Sequence, residues 1–157
     1  MPPSIKRLAA AAALATAIAI PAEGLRQYAY YDPPGILTVC YGSTVDVEKG
    51  RKYSLAECRA RLDADMATAV RTVEACQPGL PENVLAAFAD AVYNMGPTIA
   101  CDPQRSTAAR HLARDEYREA CEQLPRWNKA RVAGVAVELP GLTKRRQKEM
   151  DLCLSGS

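Results

Sequence analysis

An uncharged, alanine-rich segment near the amino terminus is the strongest constraint on how this chain can fold. Lys6 and Arg7 precede a run from residue 8 to residue 22 that contains no charged side chain. Two cations before an apolar run place its amino end in the cytoplasm and direct the following chain into the periplasm. As a helix the run rises about 22 Å, less than the roughly 30 Å of the hydrocarbon core. We therefore predict that this segment enters the inner membrane and is held there weakly.

The fate of this segment is open at the level of sequence. Ala17-Ile18-Ala19 has the small-x-small form of a signal-peptidase site, which is typical of a cleaved signal peptide. Alternatively, the segment is an uncleaved signal anchor that later leaves the bilayer, or an alanine-rich core helix of a globular protein. We predict a signal anchor or signal peptide over residues 1–22, followed by one domain over residues 23–157.

Six dispersed cysteines fit an oxidising compartment. They form no C-x-x-C pair and the chain has one histidine, so a zinc site is not expected. An even number of cysteines in an exported chain indicates disulfides, whereas a cytosolic chain would keep them as buried thiols. Six cysteines can form three bridges in fifteen different ways, and the sequence does not decide among them. Local order along the chain favours Cys40–Cys58, Cys76–Cys101 and Cys121–Cys153.

Composition and charge limit the partners of the chain. Its 157 residues, 48% apolar and 24% charged, suit one globular domain. The formal net charge is only +2, with basic and acidic residues interspersed, so nucleic-acid binding is not expected. A mild positive excess suits an anionic cell-wall polymer. We expect a monomer without a cofactor.

The residue pattern predicts an α+β fold, with a small β lobe, a larger helical lobe and a cleft between them. A short helix over residues 23–31 is expected to precede a turn at residues 32–35 and a strand over residues 36–41. A second strand is expected within residues 42–50. Further helices are predicted over 54–76, 80–95, 106–114, 116–124, 125–130 and 142–154, with a loop over 134–141.

Three polar residues early in this domain suit glycosidic bond cleavage. That reaction needs a proton donor, a carboxylate near the oxocarbenium-like transition state, and a placed water or nucleophile. Glu23 is predicted at the amino end of a helix, Asp32 in a turn and Thr38 in a strand, so the three could line one cleft. Taken without further motifs, all three are better interpreted as ordinary surface residues.

Several motifs in order resemble those of phage-type lysozymes from residue 23 to the carboxyl terminus. That family carries Glu, then Asp nine positions on, then Thr six positions on, and Glu23, Asp32 and Thr38 match both spacings. The family often has His where this chain has Ser43, which puts in doubt any role for a histidine. The further matching segments are 24–26, 30–31, 35–42, 88–96, 106–107, 127–130, 140–142 and 145–146.

The resemblance implies a lysozyme-like fold and a muramidase that cleaves the β-1,4 bond between N-acetylmuramic acid and N-acetylglucosamine in peptidoglycan. Glu23 would be the general acid, protonated through burial in the cleft. Asp32 would stabilise positive charge and Thr38 would orient the attacking water, with inversion expected. Candidate substrate-binding residues are Ser43, Ser106 and Arg145. A lytic transglycosylase or a catalytically silent wall-binding protein is the alternative.

The first segment is also similar to that of signal-anchor-release endolysins, which cause host lysis after membrane depolarisation. Since Glu23 follows the anchor directly, a segment held in lipid would keep Glu23 at the bilayer surface, away from Asp32 and Thr38. The expected location is the inner membrane facing the periplasm, then the periplasm after release. The anchor lacks cysteine, so activation by an anchor thiol is not expected.

Three other features have ordinary interpretations. His111 is expected to be a surface histidine. Trp127 is expected to pack in the core in preference to stacking on sugar. The basic run at residues 144–148 suggests a solvated helix face, although some of its cations could line the cleft or pair with acids.

Overall fold

A computed structural model describes residues 4–156, in which two small antiparallel sheets accompany a mainly helical body. The α+β prediction is therefore confirmed. The helices in this part of the chain are α1 (Ile5–Glu23), α2 (Leu55–Cys76), α3 (Glu82–Met95), α4 (Thr98–Cys101), α5 (Thr107–Ala113), α6 (Tyr117–Gln123) and α7 (Pro140–Ser155). The strands are β1 (Arg26–Tyr31), β2 (Leu37–Cys40), β3 (Lys129–Val132) and β4 (Val135–Glu138), and a 3₁₀ turn covers Leu124–Arg126.

The alanine-rich segment forms helix α1, which packs against α2 and α3 in the main core. Ala11, Ala15 and Ala19 on its inner face are fully buried. Their small side chains let the helix axes approach closely, so a weakly apolar segment still fills the core. Within residues 4–156, α1 is the one helix long and apolar enough to cross a membrane. The helix continues through the predicted boundary at residue 22 and ends at Glu23.

The amino end of α1 is fixed by polar contacts with the helical body. The side chain of Ser4 caps the helix by accepting a hydrogen bond from the Arg7 backbone N–H. The Arg7 guanidinium binds a Glu74 carboxylate oxygen at 2.6 Å and donates to the carbonyl of Leu80 at 2.6 Å. One of the two cations that precede the apolar run is therefore part of the folded protein.

The short helix predicted over residues 23–31 is wrong. Glu23 is the last residue of α1 rather than the first of a new helix, because Gly24 adopts φ of +68° and ends α1. Residues 26–31 then form β1, which is rich in tyrosine and pairs antiparallel with β2. Tyr30 lies opposite Thr38 in this hairpin.

Other predicted elements also need correction. No second strand forms within residues 42–50, where a tight turn brings Ser43 back to Val39 through an isolated bridge. The helix predicted over residues 125–130 is confined to the 3₁₀ turn, and β3 follows it. The predicted loop over 134–141 contains β4 and the start of α7. The β3–β4 hairpin is largely exposed, so it carries no hydrophobic alternation that sequence could reveal.

Helix α3 is the centre of the helical lobe, as its apolar sequence predicts. Nine of its residues are buried, and it packs against α1, α2 and α7. The capping box that opens α2 is also confirmed: Ser54 accepts from the Glu57 N–H, and the Glu57 carboxylate accepts from the Ser54 N–H. These helices give the small β1–β2 hairpin a rigid base.

The six cysteines form the three bridges that local order favours. Cys40–Cys58 joins β2 to α2, Cys76–Cys101 joins α2 to α4, and Cys121–Cys153 joins α6 to α7. The pairing prediction is confirmed. The first bridge ties the hairpin to the helical lobe, and the other two close the helical lobe.

We expect the Cys40→Ala/Cys58→Ala variant to lose about 3 kcal/mol of unfolding free energy, because an 18-residue separation is no longer closed in the unfolded chain. Chemical denaturation of the purified protein measures this loss. Wild-type protein assayed with and without reductant is the control. A variant as stable as the oxidised wild type would show that this bridge does not stabilise the fold.

Candidate active site

A pocket of about 220 Å³ lies where the end of α1, the β1–β2 hairpin and α3 meet. It contains two carboxylates, one threonine hydroxyl and three tyrosine hydroxyls. The structure thus brings the three predicted catalytic residues together on one surface. The pocket is lined by Glu23, Tyr30, Asp32, Thr38, Tyr41, Gly42, Tyr93 and Asn94.

Glu23 enters the pocket from the carboxyl end of α1, and its side chain is 21% exposed. One carboxylate oxygen accepts a hydrogen bond from Arg145 Nη1 at 2.5 Å. A Cβ atom on Gly42 would lie 3.5 Å from the other Glu23 oxygen, so the glycine backbone forms the wall against this carboxylate. Glu23 is therefore held between a cation of α7 and the turn after β2.

Asp32 and Thr38 face each other across the β1–β2 hairpin. Thr38 Oγ1 donates to the Ile36 carbonyl at 2.9 Å and lies 3.4 Å from Asp32 Oδ2. Asp32 Oδ1 accepts from the Ile36 N–H at 2.8 Å, which fixes the carboxylate in the turn. A carboxylate and a hydroxyl at this separation can both contact one small molecule between them and Glu23.

The turn over residues 39–43 shapes the floor of the pocket. Gly42 has φ of +99° and Cys40 has φ of +62°, so the chain reverses sharply directly after β2. The Cys40–Cys58 bridge holds this turn, and Tyr93 of α3 donates its hydroxyl to the Tyr41 carbonyl at 2.6 Å. Burial, followed by the charge of Glu23, raises the pKa of Tyr93 well above its usual value. Tyr93 thus remains a neutral donor.

A buried ionic cluster lies behind Glu23, between α3 and α7. Asp90 is fully buried and accepts two hydrogen bonds from Arg145, at 2.9 Å and 2.8 Å. Although burial opposes the charged form, the bonds and charge of Asp90 and Glu23 raise the pKa of Arg145 above its usual value. Arg146 and Glu149, also fully buried, pair at 3.0 Å. Burial, reinforced by Asp90, raises the pKa of Glu149 well above its usual range.

The three candidate substrate-binding residues lie in different environments. Ser43 is buried and accepts a hydrogen bond from Arg61 at 3.1 Å. Ser106 is fully buried as the N-cap of α5, where it donates to the Ile99 carbonyl. Neither serine lines the pocket. Arg145 is 4% exposed, donates to Glu23 through Nη1 and binds Asp90 through Nε and Nη2.

The remaining sequence features also have defined places. The solvated-face interpretation of the basic run is wrong for Arg145 and Arg146, which are buried, and the alternative that its cations pair with acids is confirmed. Trp127 is partly buried against the main core, as predicted. His111 is partly exposed and lies 3.2 Å from Glu116.

Asp90, Tyr93 and Asn94 were not predicted as site residues. All three are on α3, whose apolar pattern indicates only a core helix. One signal was available, because Asp90 is an acid in the middle of a buried apolar run, and such a charge needs a buried partner. The pair of arginines on the last helix supplies that partner 55 residues later.

Comparison with known proteins identifies the family. The phage lysozyme family model matches residues 21–149, which covers the pocket, α3 and most of α7. The chain belongs to the phage lysozyme family. It is 35% identical over 170 residues to the SAR-endolysin of Enterobacteria phage P21, with 99% of each chain covered. Membership of the phage lysozyme family makes the protein a lysozyme-type glycosidase whose substrate is peptidoglycan.

Two solved forms of the P1 phage endolysin Lyz differ in their likeness to this fold. The active form of P1 phage endolysin Lyz matches with a TM-score of 0.78 at 25% identity, covering 91% of this chain and 84% of that chain. The secreted inactive form of Lyz matches with a TM-score of 0.52 at 24% identity, covering 71% and 76%. The lysozyme-like fold is thus confirmed, and the TM-score is higher against the active form of Lyz.

Proposed function

We propose that this protein is a phage endolysin that hydrolyses the β-1,4 bond between N-acetylmuramic acid and N-acetylglucosamine, and so causes host cell lysis. The single observation that supports this is the shared pocket of Glu23, Asp32 and Thr38. The pocket combines an acid on a helix end with a carboxylate and a hydroxyl on a hairpin. These are the groups that glycoside hydrolysis requires.

Each of the three groups has a separate role in the proposed reaction. Glu23 protonates the glycosidic oxygen as the bond breaks. Asp32, fixed by the Ile36 N–H, stabilises positive charge on the sugar ring and accepts the proton of the attacking water. Thr38, next to Asp32, orients that water. Attack from the face opposite the leaving group gives inversion.

Hydrolysis and lytic transglycosylation leave different products. Hydrolysis adds water and leaves a reducing N-acetylmuramic acid end, whereas transglycosylation leaves a 1,6-anhydro end. We expect mass spectrometry of digested peptidoglycan to find reducing ends that take up one ¹⁸O atom from labelled water. Anhydro ends as the main product would overturn the hydrolase proposal and leave the lysozyme-type glycosidase assignment intact.

We expect Thr38→Val to lower kcat by about 100-fold and to change KM little, because the change removes the hydroxyl that orients water. The fold should be retained, since the Ile36 carbonyl still accepts from the Asp32 N–H at 3.0 Å. Rates on labelled, purified peptidoglycan measure the effect, with Thr107→Val on α5 as the matched control. A Thr38→Val enzyme with at least half of wild-type kcat would exclude this role.

We further propose that residues 1–22 are an uncleaved signal anchor that holds the enzyme inactive in the inner membrane, facing the periplasm. Helix α1 has the length and composition for this. Cleavage after Ala19 would remove Ala11 and Ala15 from the core, so the folded protein favours retention. Because Glu23 is the last residue of α1, lipid around α1 keeps Glu23 away from the hairpin.

Following the amino terminus in cells before and after collapse of the proton-motive force tests this proposal. We expect an intact chain in the membrane fraction before collapse and the same intact chain in the soluble periplasm afterwards. A shortened soluble chain before collapse would instead establish a signal peptide. Full activity of the membrane-bound chain would overturn the inactive state.

A further inference from the structure

The contacts of Arg145 raise a problem for the proposed general acid. The guanidinium touches Glu23 at 2.5 Å, and a cation in this position favours a carboxylate, whereas an acid catalyst must carry a proton. Arg145 is also 4% exposed, so water screens its charge poorly. Something else in the protein must offset this charge if Glu23 is to act.

Asp90 is placed to do so. It lies on the side of Arg145 away from the pocket, is fully buried, and binds both Nε and Nη2 of the guanidinium. This two-bond geometry fixes the plane of the group, and the remaining Nη1 points at Glu23. A nearly neutral Asp90–Arg145 pair can donate a hydrogen bond to Glu23 without exerting the full field of a cation.

We propose that Asp90 is a positioning residue of the active site, which aligns Arg145 toward Glu23 and offsets the charge of Arg145. The inference rests on the proposed role of Glu23 as the general acid. Asp90 does not line the pocket and acts only through Arg145.

Other charged and titratable groups surround this arrangement and limit the size of the effect. Loss of Asp90 also removes one cause of the raised pKa of Glu149, while burial, the largest cause, remains. The charged and titratable groups on the elements that meet at the pocket, and on their direct neighbours, are Arg26 and Tyr30 from β1, Asp32 and Tyr41 from the hairpin and its turn, Asp65 from α2, Asp90 and Tyr93 from α3, and Arg145, Arg146 and Glu149 from α7.

The test is the pH dependence of kcat/KM for purified, soluble full-length protein on labelled peptidoglycan. In Asp90→Asn the charge of Arg145 is no longer offset, so the electrostatic potential in the pocket becomes more positive. We expect the alkaline limb of the profile to move down by about 0.5 to 1 pH unit. We also expect kcat on the acid side to fall about tenfold, because Arg145 is less well aligned.

Two further variants separate positioning from general damage. In the Asp90→Asn/Arg145→Gln double variant both charges are gone, so the limb should return to within 0.2 pH unit of wild type while kcat stays low. Asp63→Asn, the same change at an exposed acid of α2, should leave the profile unchanged. If Asp90→Asn does not fold, Arg145→Gln alone must move the alkaline limb to higher pH, because the guanidinium no longer offsets the negative charge of Asp90.

A folded Asp90→Asn enzyme with the wild-type limb would overturn the inference, whether or not its rate falls. An alkaline limb that stays shifted in the Asp90→Asn/Arg145→Gln double variant would also overturn the inference. These failures differ from failure of the proposed function, which is tested by Glu23→Gln. An active Glu23→Gln enzyme would contradict the role of Glu23 as the general acid. An inactive Glu23→Gln enzyme together with an unshifted pH profile for Asp90→Asn would contradict only the role of Asp90.

Discussion

Glu23→Gln should lower the rate of peptidoglycan cleavage by about 1,000-fold or more, within the range by which general acid catalysis accelerates such reactions. Glutamine keeps the size of the side chain and its carbonyl can still accept from Arg145, but it has no proton to give to the leaving oxygen. Release of labelled fragments from purified peptidoglycan measures the rate, and a pelleting assay measures binding of the intact polymer. We expect binding within a factor of three of wild type.

The matched control for this change is Glu122→Gln, at a half-exposed acid on α6 far along the chain from the pocket segments. Its rate should equal that of wild type. A Glu23→Gln enzyme retaining a tenth of wild-type activity would remove Glu23 from the mechanism and with it the proposed function. Thermal unfolding of both variants shows that any loss of rate is not loss of the fold.

Adding three leucines to the exposed face of α1 should keep the protein in the membrane and abolish timely lysis. Ala9, Ala13 and Ala17 are exposed and follow one another at helical spacing, so larger side chains there do not disturb the core. Each substitution adds three carbon groups, and together they add roughly 7 kcal/mol of transfer free energy in hydrocarbon. After depolarisation, release into the periplasm should fall at least tenfold.

Serine at the same three positions is the opposing control, since it weakens insertion and should give lysis before depolarisation. Detergent-extracted triple-leucine protein, once refolded in water, should cleave peptidoglycan within twofold of wild type, because the inner face of α1 is unchanged. Culture turbidity and fractionation follow both variants. A triple-leucine protein that lyses cells on the wild-type schedule would show that the segment does not control activity.

The parts of the fold that could be predicted from sequence depend on local signals. The capping box of α2 and the apolar run of α3 are continuous patterns within one element, and both elements form where expected. The disulfides join cysteines that are neighbours in order along the chain. Glu23, Asp32 and Thr38 lie within one stretch of the chain, and the match of their spacing and of further motifs to phage-type lysozymes suggests a shared site.

The parts that sequence missed depend on tertiary contacts. The tyrosines of β1 fit a helical period as well as a strand, and pairing with β2 decides between them. The exposed β3–β4 hairpin buries too little to leave a pattern. The contacts of Arg145 with Glu23 and with Asp90 join segments more than 50 residues apart.

Under the proposed release of α1 from the membrane, the salt bridge between Arg7 and Glu74 has a consequence for the response to membrane voltage. For α1 to pack as it does, Lys6 and Arg7 must travel outward from the negative cytoplasm through the whole bilayer. Each charge costs about 2.3 kcal/mol per 100 mV against that gradient, so the two together cost roughly 4.6 kcal/mol. Collapse of the gradient cancels this cost at once, and the arginine then gains an acidic partner on the far side. If α1 is released as proposed, Lys6 and Arg7 make that release dependent on the membrane voltage.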